Sequence, residues 1–119
     1  MTKKLDIDTP EVVAYEFDQK ITEEEVERIH DDIRKALAEN ETVRLFADCR
    51  HLESMDPSAV IEDLKLAPEY ISEIERFAVI GDNKWLEFLS KAGDKLTQGE
   101  TRYFSPDEFN KARQWIQAH

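Results

Sequence analysis

The feature that most constrains the fold is an almost unbroken apolar run, RFAVIGD, at residues 76–82. A strand formed by this run would bury both of its faces, as the central strands of parallel sheets do. Two other runs, at 12–17 and 42–48, are rich in β-branched and aromatic residues and are also predicted to be strands. Helical patterns alternate with these strands, and this alternation favours a mixed sheet covered by helices.

A capping box predicts the start of the first helix. Thr22 is followed three residues later by Glu25, so the hydroxyl and the carboxylate can each accept a free backbone N–H. The apolar residues that follow at helical spacing are Val26, Ile29, Ile33, Ala36 and Leu37. This spacing predicts an amphipathic helix that ends near Glu39.

A second helix is predicted at residues 56–66. Asp56 is the expected N-cap, and Pro57 occupies the first helical position, where its missing N–H removes no hydrogen bond. Pro68 is expected to kink or end this helix.

The last two predicted helices each follow a strand. Asp82 or Asn83 is expected to cap the third helix. Ser105 is expected to cap the final helix after a short strand at 101–104, with Glu108 completing a second capping box. The apolar residues of the third helix are Trp85, Leu86, Phe88, Leu89, Ala92 and Leu96.

The complete predicted order is β-β-α-β-α-β-α-β-α, with a short first strand at KLDI, residues 4–7. This order describes an α/β chain with a mixed sheet and about four helices. A length of 119 residues suits one domain over residues 1–119, since no repeat or linker divides the chain.

Charge makes nucleic acid an unfavourable partner. The chain carries a net charge of −11, of which −8 falls in residues 1–60 and −3 in residues 61–119. Phosphate backbones would repel it at long range. Much of the acidic excess lies in TEEEVERIHDD, residues 22–32, which is either a solvated helix face or a docking surface for a basic partner.

The expected compartment is the cytoplasm. No apolar run approaches the ~18 residues that a membrane span needs, so membrane contact is expected to be peripheral at most. The N-terminal residues contain no apolar core of a secretory signal. The single cysteine, Cys49, excludes an internal disulfide and fits a reducing environment.

No catalytic, metal or cofactor site is predicted. DCRH, residues 48–51, offers a Cys–His pair, but no nucleophile elbow accompanies it, and Cys49 is expected to be a small core residue. His30, His51 and His119 lack the spacing of metal ligands. VIGDNKW has one glycine, Gly81, which favours a tight turn over a phosphate-binding loop.

The segment KWLEFLSKAGDKL, residues 84–96, carries a broad apolar arc. Trp85 and Phe88 are three residues apart and therefore share one helix face. Core packing explains such an arc, and a hydrophobic pocket against the helix at 57–67 is the alternative. Basic residues on the same helix also allow contact with a membrane surface.

Three stretches of the chain resemble the SpoIIAA-like group of the STAS superfamily. They are VRLFADCRHLESMDPSA, ERFAVIGDNKWLEFL and ETRYFSPDEFNKARQWI. The resemblance implies a four- or five-stranded sheet with helices mainly on one side, and a non-enzymatic binding or regulatory module. The group is also compared with CRAL-TRIO lipid-carrying domains, which implies a small hydrophobic ligand.

The resemblance also singles out Ser58. In anti-sigma-factor antagonists the corresponding junction reads Asp-Ser-Ser-Gly, and its second serine accepts a phosphate. Here the matching residues are Asp56, Pro57, Ser58 and Ala59. The acceptor is retained, but proline and alanine replace the first serine and the glycine, so Ser58 is either a first-turn helix residue or a regulatory switch.

Two functional hypotheses follow. The first is a small STAS-like module that binds a hydrophobic, lipid-like ligand or a regulatory protein partner and performs no chemistry. Its ligand-binding residues are predicted to be Leu64, Trp85, Phe88 and Leu89. The second is a phospho-switched regulator that acts through Ser58, and a homodimer is compatible with either hypothesis.

Overall fold

Strands and helices alternate in the computed structural model, which describes residues 3–5, 7, 9, 11–18, 22–51, 62, 72–92 and 99–118. The described elements follow the order β-β-α-β-β-α-β-α. The strands are β1 (Lys3–Lys4), β2 (Val12–Asp18), β3 (Val43–His51), β4 (Ile74–Ile80) and β5 (Glu100–Phe104). The helices are α1 (Glu23–Glu39), α2 (Asn83–Ala92) and α3 (Phe109–Gln117).

The five strands form one sheet in the spatial order β1-β2-β3-β4-β5. β1 is antiparallel to β2, and every other pair of neighbours is parallel. In the centre, Phe77 of β4 stands opposite Leu45 of β3 on one side and Thr101 of β5 on the other. The prediction of an α/β chain with a mixed sheet is confirmed, as four parallel strands with an antiparallel strand at one edge.

The helix count differs from the prediction. The sequence predicts about four helices, and the described residues contain three. The helix predicted at 56–66 lies outside the described residues except for Glu62. In the described element order, β3 is therefore followed directly by β4.

Two helices lie on one face of the sheet and one on the other. α1 connects β2 to β3 and α2 connects β4 to β5, and both connections step across the sheet in the same direction. Right-handed crossovers then place both helices on the same face. Their core includes Val13, Phe17, Ile33, Leu45, Phe77 and Trp85. α3 follows the last strand and packs on the opposite face, where the buried side chains include Phe46, Ile80, Phe104 and Ile116. We call these the α1–α2 face and the α3 face.

The start of α1 agrees with the sequence prediction. The Glu25 N–H donates to Thr22 Oγ1 at 3.2 Å, and the Thr22 N–H donates to Glu25 Oε1 at 3.2 Å. These reciprocal bonds are the predicted capping box. The predicted apolar face is also confirmed, since Val26, Ile29, Ile33 and Ala36 are buried.

The predicted start of the final helix is wrong. α3 begins at Phe109 with Glu108 as its N-cap, not at Pro106 after Ser105. One bond of the expected capping box forms, because the Ser105 N–H donates to Glu108 Oε1 at 2.9 Å. However, the Glu108 N–H donates to the Ser105 carbonyl at 2.9 Å, so these residues close a tight turn and helical bonding starts from the Glu108 carbonyl.

Strand limits also differ by a few residues. β3 continues to His51, three residues beyond the predicted end, because its polar end still pairs with β2 through Asp18 opposite His51. β4 ends at Ile80 because Gly81 and Asp82 turn the chain into α2. The Lys84 N–H donates to Asp82 Oδ1 at 3.0 Å, so Asp82 supplies the predicted cap of that helix.

Candidate functional site

The predicted ligand-binding residues on α2 all meet the α1–α2 face. Trp85 is 4% exposed and belongs to the buried core. Phe88 and Leu89 are partly buried and pack against the same core. Leu64 and Ser58, which the sequence also singles out, lie outside the described residues.

Trp85 is held by two close neighbours. Its ring meets Phe88 edge to face, with ring centroids 6.1 Å apart and planes at 84°. On its other flank, a Cβ added at Gly81 would lie only 2.3 Å from Trp85 Cδ1. Gly81 is thus required for close approach of the indole, which is a more specific role than the tight turn predicted from sequence.

Tyr103 ties the same turn to β5. Its hydroxyl donates to the Gly81 carbonyl at 2.8 Å, and burial, followed by the nearby charge of Asp82, raises its pKa. The phenol therefore stays protonated and remains a donor in the physiological range. This bond fixes the position at which α2 begins.

An apolar cavity of about 20 Å³ lies on the α1–α2 face. Its lining side chains are Val13, Tyr15, Phe17, Ile29, Leu45, Phe46, Ala47 and Phe77. Tyr15 and Phe17 stack along β2 with ring centroids 6.3 Å apart. The cavity has room for about one water-sized or methyl-sized group, and its lining offers such a group almost only apolar contacts.

Tyr15, which lines this cavity, also belongs to a polar cluster with Asp32 and Lys4. The Tyr15 hydroxyl donates to the Asp32 carboxylate of α1, and Lys4 Nζ lies 3.5 Å from Asp32 Oδ2. Burial, and then the hydrogen bond to Asp32, raise the pKa of Tyr15. Sequence analysis missed this arrangement, because Tyr15 and Asp32 are 17 residues apart and neither belongs to a recognisable motif.

The carboxyl edge of the parallel strands carries a buried ion pair. Asp48 is almost fully buried, and its two carboxylate oxygens accept from Arg50 Nε at 2.8 Å and from an Arg50 terminal nitrogen at 2.6 Å. The hydrogen bond to Asp48 raises the pKa of Arg50. Arg50 also lies over the Phe109 ring, 5.0 Å from its centroid, so the pair links β3 to α3.

Cys49 and His51 lie on the same strand but have separate surroundings. Cys49 is 4% exposed within the α1–α2 core, and burial raises the pKa of its thiol, which stays protonated. His51 Nε2 instead lies 3.2 Å from Glu16 Oε1 on β2. Since Asp48 is engaged by Arg50, the described geometry assembles no nucleophile with a base.

In the described ranges, no three histidine, cysteine or acidic side chains come together as metal ligands could. Every helix in those ranges is also too short or too polar to cross a bilayer.

Comparison with known proteins agrees with the fold. The sequence profile of the SpoIIAA-like family matches residues 12–117. A solved structure of an uncharacterised protein from Shewanella loihica PV-4, described as having a SpoIIAA-like fold, is 24% identical with a TM-score of 0.68. The match covers 98% of this chain and 92% of that one, whereas no curated protein matches the chain. This chain belongs to the SpoIIAA-like family.

Proposed function

We propose that this chain is a non-enzymatic binding module that takes up a small hydrophobic, lipid-like ligand on its α1–α2 face. The SpoIIAA-like fold supports a binding or regulatory role in general. The proposed contact residues are Trp85, Phe88 and Leu89 on α2, together with Leu64.

The observation that carries this proposal is the range of burial among the large apolar side chains of α2. Trp85 is buried, Phe88 and Leu89 are partly buried, and Leu86 is 46% exposed. Leu86 is the large hydrophobic side chain that stands out as exposed among the described residues. The apolar side chains of this helix therefore range from buried to exposed, and we propose that they form the entrance of a hydrophobic site.

The interior offers a place for the ligand to extend. The cavity beside Tyr15 and Phe17 holds about one methyl group, whereas ligand sites usually have ~300 Å³ or more. The lining includes Ile29 of α1 and, among the described residues, none of α2, so binding is proposed to widen this space toward Trp85 by movement of side chains in the α1–α2 core. The cost of the movement is offset by burial of the ligand's apolar surface at about 25 cal/mol per Å².

Two matched phenylalanine variants test the proposal. Phe88 and Phe109 are both partly buried, but Phe88 packs on the α1–α2 face and Phe109 on the α3 face. Titration of delipidated protein with a long-chain fatty acid should show about tenfold weaker binding in Phe88→Ala, because several buried methylene contacts are lost. Phe109→Ala should bind like the parent, with circular dichroism confirming that both variants fold.

The opposite pattern would contradict the proposal. Equal weakening in both variants would indicate a general loss of stability, and weakening in Phe109→Ala alone would move the site to the α3 face. If gently purified protein carries no co-purifying small molecule in native mass spectra and the fatty acid does not bind, the ligand hypothesis fails.

A phospho-switch at Ser58 is the second candidate function. One described feature favours it: β3 ends at His51, the segment that contains Ser58 follows in the sequence, and Arg50 and His51 at the end of this strand are both partly exposed. The N–H groups of a guanidinium and an imidazole at the end of this strand would donate to a phosphate on the following segment.

The switch has its own test, with Ser54 as the matched control serine. Mass spectrometry of protein purified from its own host should show a phosphoryl mass that disappears in Ser58→Ala and persists in Ser54→Ala. Loss of the added mass in both variants, or its absence from the parent, would contradict this candidate.

A further inference from the structure

The β5 strand leaves one edge of the sheet unpaired within the described residues. Among the described strands, β5 is the last in the spatial order, and it pairs with β4 alone. The Phe104 carbonyl accepts from the Gly81 N–H at 3.2 Å, so the backbone of Phe104 points toward β4. Because backbone groups alternate along a strand, those of Thr101 and Tyr103 point toward the open edge.

A groove of about 530 Å³ runs between this edge and α3. Its walls include Arg102 and Phe104 from β5, and Lys111 and Trp115 from α3. Its charged lining residues, Arg102, Lys111 and Glu108, carry a formal net charge of +1. The groove is therefore locally basic on a chain whose net charge is −11.

Arg102 is preorganised for an anion. Its guanidinium carbon lies 6.0 Å from the Phe104 ring centroid and 5.8 Å from that of Trp115. Within the described part of the chain it has no hydrogen-bond acceptor and no carboxylate partner. Arg44, Arg50 and Arg76, by contrast, each donate to carboxylates or carbonyls. A guanidinium held by two rings leaves its N–H fork available for a carboxylate.

We infer that the groove between β5 and α3 binds an extended acidic peptide, which adds to the sheet as a sixth strand beside β5. The backbone of the peptide pairs with Thr101 and Tyr103, and one of its carboxylates meets Arg102. This site is separate from the ligand site proposed above, because the groove lies beside α3 and the ligand site lies on the α1–α2 face. Either one can fail without the other.

The probe is a seven-residue peptide of alternating valine and glutamate with blocked termini, added to isotopically labelled full-length protein. NMR should show saturable shifts at the amides of Thr101 and Tyr103, and slower hydrogen exchange at both. Arg102→Gln should weaken binding by about tenfold, the effect of losing one charge-assisted contact. Arg113→Gln is the matched control, since Arg113 is exposed on α3 but does not line the groove.

Several results would overturn the inference. These are an absence of saturable shifts, shifts that map to another surface, and equal effects of Arg102→Gln and Arg113→Gln. A valine–lysine peptide that binds as tightly as the glutamate peptide would remove the proposed charge recognition. Dilution-dependent shifts at Thr101 and Tyr103 without peptide would show that a second copy of the chain occupies the edge instead.

Discussion

At the scale of single residues, the packing around Gly81 and Cys49 limits which side chain each position can hold. Gly81 lies where the Trp85 indole approaches the backbone, and Cys49 lies in the core of the α1–α2 face. Both positions are constrained by packing, and neither needs a chemical role to account for its residue type.

Replacement of Gly81 by alanine should destabilise the protein by about 1–3 kcal/mol, because the added Cβ forces the indole out of its position. Urea unfolding followed by circular dichroism measures the loss. Leu86→Ala is the control on the same helix, since Leu86 is exposed and should change stability by about 0.5 kcal/mol or less. A Gly81→Ala variant as stable as the parent would contradict the close contact.

The Cys49 thiol should be unreactive in the folded protein. Burial raises its pKa above the ordinary value of 9.0, so little thiolate forms at pH 8.5 and reagent access is blocked. A disulfide-exchange reagent should label it only after unfolding. The folded pKa is the higher one, so this group stabilises the fold below the unfolded pKa and loses that contribution as the pH rises above it. Rapid labelling of native protein would contradict the described burial.

At the scale of elements, the carboxyl end of α3 is capped by arginines of two strands. Arg44 donates to the Ile116 and Ala118 carbonyls at 2.8 and 2.6 Å, and Arg76 donates to the Trp115 and Ala118 carbonyls at 2.7 Å each. The last carbonyls of a helix lack intrahelical partners and bear its negative dipole end, so two guanidinium groups stabilise them.

Removal of these two caps should have unequal effects. Arg44 is buried, so Arg44→Met leaves the buried Ile116 carbonyl without this donor and should cost about 2–3 kcal/mol. Arg76→Met should cost less, because water can replace its more exposed bond to Ala118. Urea midpoints of the two variants provide the comparison. An Arg76→Met variant that is less stable than Arg44→Met would contradict this ranking.

The Arg44–Glu75 pair should contribute to the way the free energy of unfolding falls at acidic pH. Burial acts to raise the pKa of Glu75, but the hydrogen bond and charge of Arg44, together with Thr42 and the charge of Arg76, outweigh burial, and the pKa is lowered overall. A lowered folded pKa gives stability above the unfolded value of 4.5 that is lost as the pH falls. Glu75→Gln should therefore flatten the decline in unfolding free energy between about pH 5 and 3. If the unfolding free energy of Glu75→Gln declines between about pH 5 and 3 as steeply as that of the parent, the pair does not make this contribution.

At the scale of the whole molecule, local patterns predicted the elements, and long-range contacts decided their limits. Thr22 and Glu25 form the expected capping box, because every atom involved lies within one helical turn. Ser105 and Glu108 carry the same pattern, yet they close a turn before α3. Alternation of strands and helices was enough to predict the mixed α/β sheet.

The candidate sites were less accessible to sequence reasoning. The pattern on α2 marked Trp85 and Phe88 as partners, and these two do meet edge to face. Local spacing along the sequence cannot show that Arg102 lies over Trp115 or that Tyr15 reaches Asp32. These residues are distant in the sequence, and only the fold brings them together. Sequence reasoning therefore predicted the shared face of Trp85 and Phe88 on α2 but not the groove beside β5.

The most direct test of the central claim uses the two tryptophans, which lie on opposite faces of the sheet. Trp115→Phe leaves Trp85 on the α1–α2 face, and Trp85→Phe leaves Trp115 on the α3 face. Each variant is titrated with a brominated fatty acid, whose bromine quenches indole fluorescence on contact. We expect saturable quenching of Trp85 and none of Trp115. Quenching of Trp115 alone, or of neither tryptophan, would contradict a hydrophobic ligand site on the α1–α2 face.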